Sequence, residues 1–139
     1  MAPKRRIAPG GTRGTLFQAV ARIRLKDADV LLREQRFEGA LYPAGYAIEC
    51  ILKWGVTRRR NVLRLPEELE THDWDRLLSA TGLKPYLESE PTMHTVYSDL
   101  AERWGPELRY LAKLPKSEDA ETLYEKLTVL YGWIEDHAL

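Results

Sequence analysis

Cysteine is almost missing from this chain. Cys50 is the only one in 139 residues, so no internal disulfide can form and the cysteine-rich zinc modules are excluded. No run of about 18 apolar residues occurs, which excludes a transmembrane helix. The basic N-terminus lacks the apolar stretch of a secretory signal, and a reducing cytoplasm is the expected compartment. Histidine is scarce as well: His72, His94 and His137. None forms an HExxH pair or stands at ligand spacing from a second His or Cys, so neither a metal nor another cofactor is expected. His72-Asp73-Trp74-Asp75 has the ligand types for a metal, but first-turn Asp residues complementing a helix dipole are the plainer account. Ser79 and Ser98 have no visible base partner, so nothing supports a hydrolase. No hairpin turn signal and no period-two run is present.

What is there is the composition of one folded domain, 44% hydrophobic and 30% charged. The net charge of zero hides a division. Residues 1–64 hold 14 of the 21 Lys and Arg against five acids, a net +9, and residues 65–139 are −9. Met1–Lys26 contains no acid, and Arg58, Arg59, Arg60 and Arg64 form a second basic cluster. Such segregation suits a polyanion-facing side, or attraction between the halves within a monomer or across a dimer.

Residues 1–14, with Pro3, Pro9 and three glycines among the bases, read as a flexible basic arm. Residues 15–139 read as one all-α domain, an antiparallel bundle of four to five helices. Thr15 is a candidate N-cap for a first helix to about Gln35, with Leu16, Val20, Ile23, Ala28, Leu31 and Leu32 as its apolar face. A second helix lies between Phe37 and Trp54. Pro43 kinks it if it starts at Phe37, and sits in the first turn if it starts near Tyr42. Arg58–Glu70 reads as a connection. A short helix opened by Thr71 or His72 stops at Gly82, and Lys84–Glu90 is a connector. A fourth helix carries Met93, Val96, Tyr97, Leu100 and Trp104 up to Gly105-Pro106. Ser117 caps the last helix. Its stripe of Ala120, Leu123, Tyr124, Leu127, Leu130, Tyr131 and Ile134 is the cleanest in the chain.

Within the second helix, Glu49 and Lys53 stand at i, i+4, the spacing of a helix-surface ion pair. The functional alternative takes Glu49 out of solvent to orient a base or a guanidinium. Tyr42, Tyr46, Tyr97, Tyr110, Trp74 and Trp104 suffice to stack bases, though at helical spacing Tyr97 and Trp104 suit a core.

Arg36-Phe37-Glu38-Gly39-Ala40-Leu41-Tyr42, followed by Ala44-Gly45-Tyr46-Ala47-Ile48-Glu49-Cys50-Ile51-Leu52-Lys53, resembles the signature helix of HEPN domains (higher eukaryotes and prokaryotes nucleotide-binding). His72-Asp73-Trp74 with Leu77-Leu78 and Gly82-Leu83 is similar to the family's third helix, and Trp104, Arg109-Tyr110 and Trp133-Ile134 to its end. The resemblance implies a helical bundle paired into a homodimer. It also implies a prokaryotic toxin–antitoxin or phage-defence setting beside a nucleotidyltransferase-type partner. Many members are metal-independent ribonucleases marked by Arg, four to six residues, then His. That motif is absent here. Leu65, Pro66 and Glu67 precede His72 at the required distance; Leu87, Glu88 and Ser89 precede His94; Leu130, Tyr131 and Gly132 precede His137.

The expectation is therefore a non-catalytic module that binds RNA, a nucleotide or a partner protein, leaning away from an enzyme. The basic arm of residues 1–14 and Arg58, Arg59 and Arg60 would hold phosphates, and Arg36, Glu49, Lys53, His72, Arg109 and Tyr110 would belong to the binding surface. The alternative is a divergent ribonuclease, with His72 as general acid or base and Arg109 stabilising the pentacoordinate phosphate. A dimeric scaffold is the third reading. A homodimer is expected because the second helix has a small-residue face, and because Tyr124, Tyr131 and Trp133 spread around more of the last helix than a lone bundle would cover.

Overall fold

A computed structural model describes residues 11–104 and 117–139. Among them are six α-helices and no strand: α1 Gly14–Arg33, α2 Phe37–Arg60, α3 Trp74–Thr81, α4 Lys84–Glu88, α5 Pro91–Arg103 and α6 Ser117–Ala138. A 3-10 turn, Glu67–Leu69, interrupts the connection between α2 and α3. The chain is all-α. No helix among the described residues is long and apolar enough to cross a membrane.

The central element is α2. Every residue from Ala47 to Thr57 is buried, as a helix covered on all sides requires. α1 packs against it antiparallel through small side chains. Gly14, Ala21 and Ala28 are buried at seven-residue intervals, with Phe17 between them. The approach is closest at Gly14, where a Cβ would lie 2.0 Å from the Thr57 hydroxyl oxygen, so only glycine fits. Gly14 N–H donates to the Leu63 carbonyl and Leu65 N–H to the Thr12 carbonyl. These bonds hold residues 12–14 onto the strand of chain after α2, so the tethered part of the molecule begins before residue 15.

This packing corrects the apolar face expected for α1. Leu16 and Ile23 point outward, 54% and 52% exposed, while Phe17, Ala21 and Ala28 face α2. Close helix contact selects the small residues at the seam, the expected Ala28 among them; Val20, Leu31 and Leu32 pack partly buried against the core as expected, and only Leu16 and Ile23 of the expected face turn away.

α6 lies along α2 in the same direction. Leu41 meets Leu123 and Leu127 at one end, and Gly55 and Arg58 meet Ala138 at the other. All seven residues of its expected stripe are buried. So are Tyr124, Tyr131 and Trp133, at 7%, 5% and 8% exposure within this single chain. Burying them does not require a second copy.

The remaining boundaries differ in detail. α2 begins at Phe37 and carries Pro43 inside it, where the unmatched Gly39 carbonyl lies on the exposed side. α2 also continues through the arginines to Arg60 and ends on Asn61 in the left-handed conformation. Asp73, not Thr71 or His72, caps α3, because its carboxylate accepts the N–H groups of Asp75 and Arg76. Lys84–Glu88 is a short helix with Pro85 in its first turn. α5 ends at Arg103, before the glycine and proline expected to stop it.

Trp104 folds back over α2 at Gly45, where a Cβ would meet the indole at 2.2 Å. Gly45→Ala should therefore displace Trp104 and cost about 1–3 kcal/mol. The check is a lowered Tm together with a changed near-ultraviolet dichroism signal. An unchanged Tm would mean that the indole does not occupy this position.

Candidate functional site

The middle of α2 buries a carboxylate. Glu49 is 1% exposed, among apolar neighbours that would make an unpaired charge costly. Its two oxygens are used separately. One accepts a 2.9 Å bond from Lys53 Nζ, a turn further along and itself buried. The other lies 2.9 Å from Nδ1 of His72, which precedes α3. The pair is thus not the surface ion pair that i, i+4 spacing alone suggests.

Lys53 is satisfied further by tertiary neighbours. Its ammonium stands 5.4 Å from the centre of the Phe17 ring on α1 and 3.6 Å from a Glu70 oxygen. The His72 side chain is 75% exposed. The carboxylate partner assigns the proton to Nδ1, which leaves Nε2 turned to solvent as an acceptor, or as a donor when the ring is charged. The arrangement presents one oriented imidazole on a buried ionic base. It can exchange a proton or, protonated, bind an anionic oxygen.

Two further groups adjoin it. Gly11 packs beneath Glu70, at 3.0 Å from the Glu70 carboxylate for a Cβ, and its carbonyl accepts a 3.2 Å bond from the Arg64 guanidinium. Arg64 stands eight positions before His72, just outside the spacing of the ribonuclease motif. Glu70, Phe17 and Arg64 are the contributors that sequence reasoning missed. They come from separate elements, and no local spacing links them to Glu49.

The other expected residues are elsewhere. Arg36 is the exposed N-cap of α2, about 20 Å from Glu49 along the helix at 1.5 Å per residue. It does not join the site. Arg58, Arg59 and Arg60 form the exposed last turn of α2, roughly two turns beyond Lys53. Arg58 lies over the Trp54 ring and donates from Nε to the Ala138 carbonyl. None of the three arginines makes an ion pair with a carboxylate among the described residues. Arg109 and Tyr110 fall outside the described residues.

The aromatics stack on one another. Tyr46, Tyr42, Trp104, Trp74 and Tyr97 form a continuous series with ring centres 5.5–6.4 Å apart. Trp74 and Trp104 each bury an indole N–H with no partner among the described residues. Burial pushes the Tyr46 phenol up to about 12, and the Cys50 thiol up to about 11. At that value the thiol stays protonated near neutral pH and is a poor nucleophile. Among the described residues no three His, Cys, Asp or Glu side chains converge as a metal site. No family model, no curated protein and no solved structure matches the chain.

Proposed function

We propose that this chain is a HEPN-type helical module that binds RNA through its phosphates without cutting it, as part of a prokaryotic toxin–antitoxin or defence pair. The observation that carries the reading is the exposed Arg58–Arg60 turn, which has no carboxylate partner among the described residues. One helix C-terminus is worth about half a charge, so three arginines exceed what the α2 dipole needs. The surplus is available to a polyanion. The HEPN assignment rests on the resemblance of residues 36–53 and on the helical fold that contains them. A HEPN-like arrangement, a homodimer, a nucleotidyltransferase-type partner and a cytoplasmic location belong to the same proposal; the expected antiparallel order does not hold for α2 and α6, which run in the same direction.

One observation favours the ribonuclease as a second reading. His72 is held at Nδ1 by a buried carboxylate with Nε2 exposed, the posture of a general base. Arg64 reaches the Gly11 carbonyl, beside the Glu70 carboxylate that pairs with Lys53.

A labelled-RNA shift assay at low salt, followed by a long metal-free incubation, separates the readings. The proposal expects a retained shift and intact RNA. Cleavage that disappears in His72→Ala would establish the nuclease, and no shift at low salt would favour a scaffold.

A further inference from the structure

Three helices, α2, α3 and α6, end around one pocket. It measures about 430 Å³, within the size of small-molecule sites. Arg58 and Arg59 line it from α2, Tyr86 from α4 and His137 from α6. Gly55 and Thr81, both buried, close its floor, where a Cβ on Gly55 would lie 3.2 Å from Thr81.

The helix ends do not consume these guanidiniums. The Thr57 and Arg58 carbonyls accept the N–H groups of Val62 and Asn61, and the Ser79 carbonyl accepts that of Gly82. The Leu78 carbonyl accepts the Thr81 hydroxyl. Arg58 gives only Nε, to the Ala138 carbonyl. Arg59 makes no hydrogen bond or ion pair among the described residues. It lies against Gly82, where a Cβ would come 2.9 Å from its Nε. His137 stacks on Trp133 and donates from Nδ1 to the Trp133 carbonyl, so Nε2 is left over, a donor when the ring is charged.

The surrounding acids leave the pocket positive. Asp136 and Glu88, near His137 and Tyr86 in the chain, do not line it, and Glu90 is engaged by the Trp133 indole. No carboxylate among the described residues, that of Leu139 at the rim included, lies within ion-pair distance of Arg58 or Arg59.

Two open guanidiniums and an imidazole suit a doubly charged anion. A terminal phosphate carries about −1.5 to −2 at neutral pH, whereas a phosphodiester inside a strand carries a single charge. The closed floor also admits an end more readily than a passing strand. Tyr86, 62% exposed, presents a ring at the same pocket on which a base can stack.

We infer that this pocket seats the phosphorylated end of an RNA strand, with Arg58, Arg59 and His137 on the terminal phosphate and Tyr86 against the adjoining base. The inference rests on the RNA-binding reading and adds to it a preference for strand ends.

The probe is one labelled single-stranded RNA carrying a phosphate at its first nucleotide, at its last, or at neither, with AMP as a competitor. One phosphorylated form should bind about tenfold tighter or more than the unphosphorylated form. Arg59→Gln and His137→Gln, both at exposed side chains, should each bring that ratio close to one. Arg60→Gln, outside the pocket, should weaken all three forms and preserve the ratio. Equal affinity for the three forms would overturn the inference and leave the RNA reading standing. So would a ratio that survives both pocket variants, since the terminal phosphate would then sit elsewhere. AMP that binds as tightly as the phosphorylated strand would overturn the strand end in favour of a free nucleotide. Binding of no form would contradict the RNA reading and the inference together.

Discussion

Leu127→Asp should leave no folded protein. Leu127 is 4% exposed in α6, where it meets Leu41, Trp74 and Trp104. No cation among the pocket's residues other than Arg103, itself solvent-exposed, is near enough to compensate a new carboxylate. Burying that charge costs several kcal/mol, against a total stability of about 5–15 kcal/mol. The variant should be insoluble, or soluble without cooperative unfolding. A soluble variant with unchanged helicity and Tm would show that α6 does not pack through this stripe.

Glu49→Ala should destabilise the protein by about 3–5 kcal/mol, because it leaves the Lys53 ammonium buried with only a distant Glu70 oxygen and the Phe17 ring. The double variant Glu49→Leu, Lys53→Met should recover most of that loss, since a buried ion pair contributes little beyond an apolar pair of similar size. It should also release His72, whose only described hydrogen bond is to Glu49. Chemical denaturation measures the first effect, and the nitrogen-15 shifts of the His72 ring, which report its tautomer, measure the second. A double variant as unstable as Glu49→Ala would mean that the pair is needed for folding itself. A recovered Tm would mean that it is kept for orienting the imidazole.

α6 was readable in the sequence because its burial follows side-chain size. Its large apolar residues repeat at helical spacing, and all seven are in the core. α1 was readable as a helix but only partly in its orientation. Gly14, Phe17, Ala21 and Ala28 form its buried seam, Val20, Leu31 and Leu32 pack partly buried beside them, and Leu16, Ile23 and Val30 lie on the other side. Close packing against α2, not hydrophobic weight alone, selects the seam. A similar limit governs the site. Glu49 and Lys53 are a local pair, visible at i, i+4, but their burial depends on α1 covering them. His72, Glu70 and Arg64 arrive through the 3-10 connection, whose path follows from the bonds of residues 12–14 to residues 63–65. No pattern within α2 announces that path. Pro43 leaves two starts open, Phe37 and Tyr42, and the structure takes the first, because Ala40 and Leu41 before the proline and Ala44 and Gly45 after it are all buried.

The central claim is that the Arg58–Arg60 turn holds RNA phosphates. The most direct measurement is the dependence of RNA affinity on salt, for the wild type and for the triple variant Arg58→Gln, Arg59→Gln, Arg60→Gln. All three side chains are exposed; Arg58 also covers Trp54 and bonds to the Ala138 carbonyl, so the variant should keep its helicity with a slightly lowered Tm. Each phosphate contact to a single strand contributes about 0.7 to the slope of log K against log salt. The wild-type affinity should fall steeply with salt, and the variant should bind more weakly with a slope shallower by about 2. An unchanged slope and affinity in the triple variant would contradict the account, because the phosphates would then be held elsewhere.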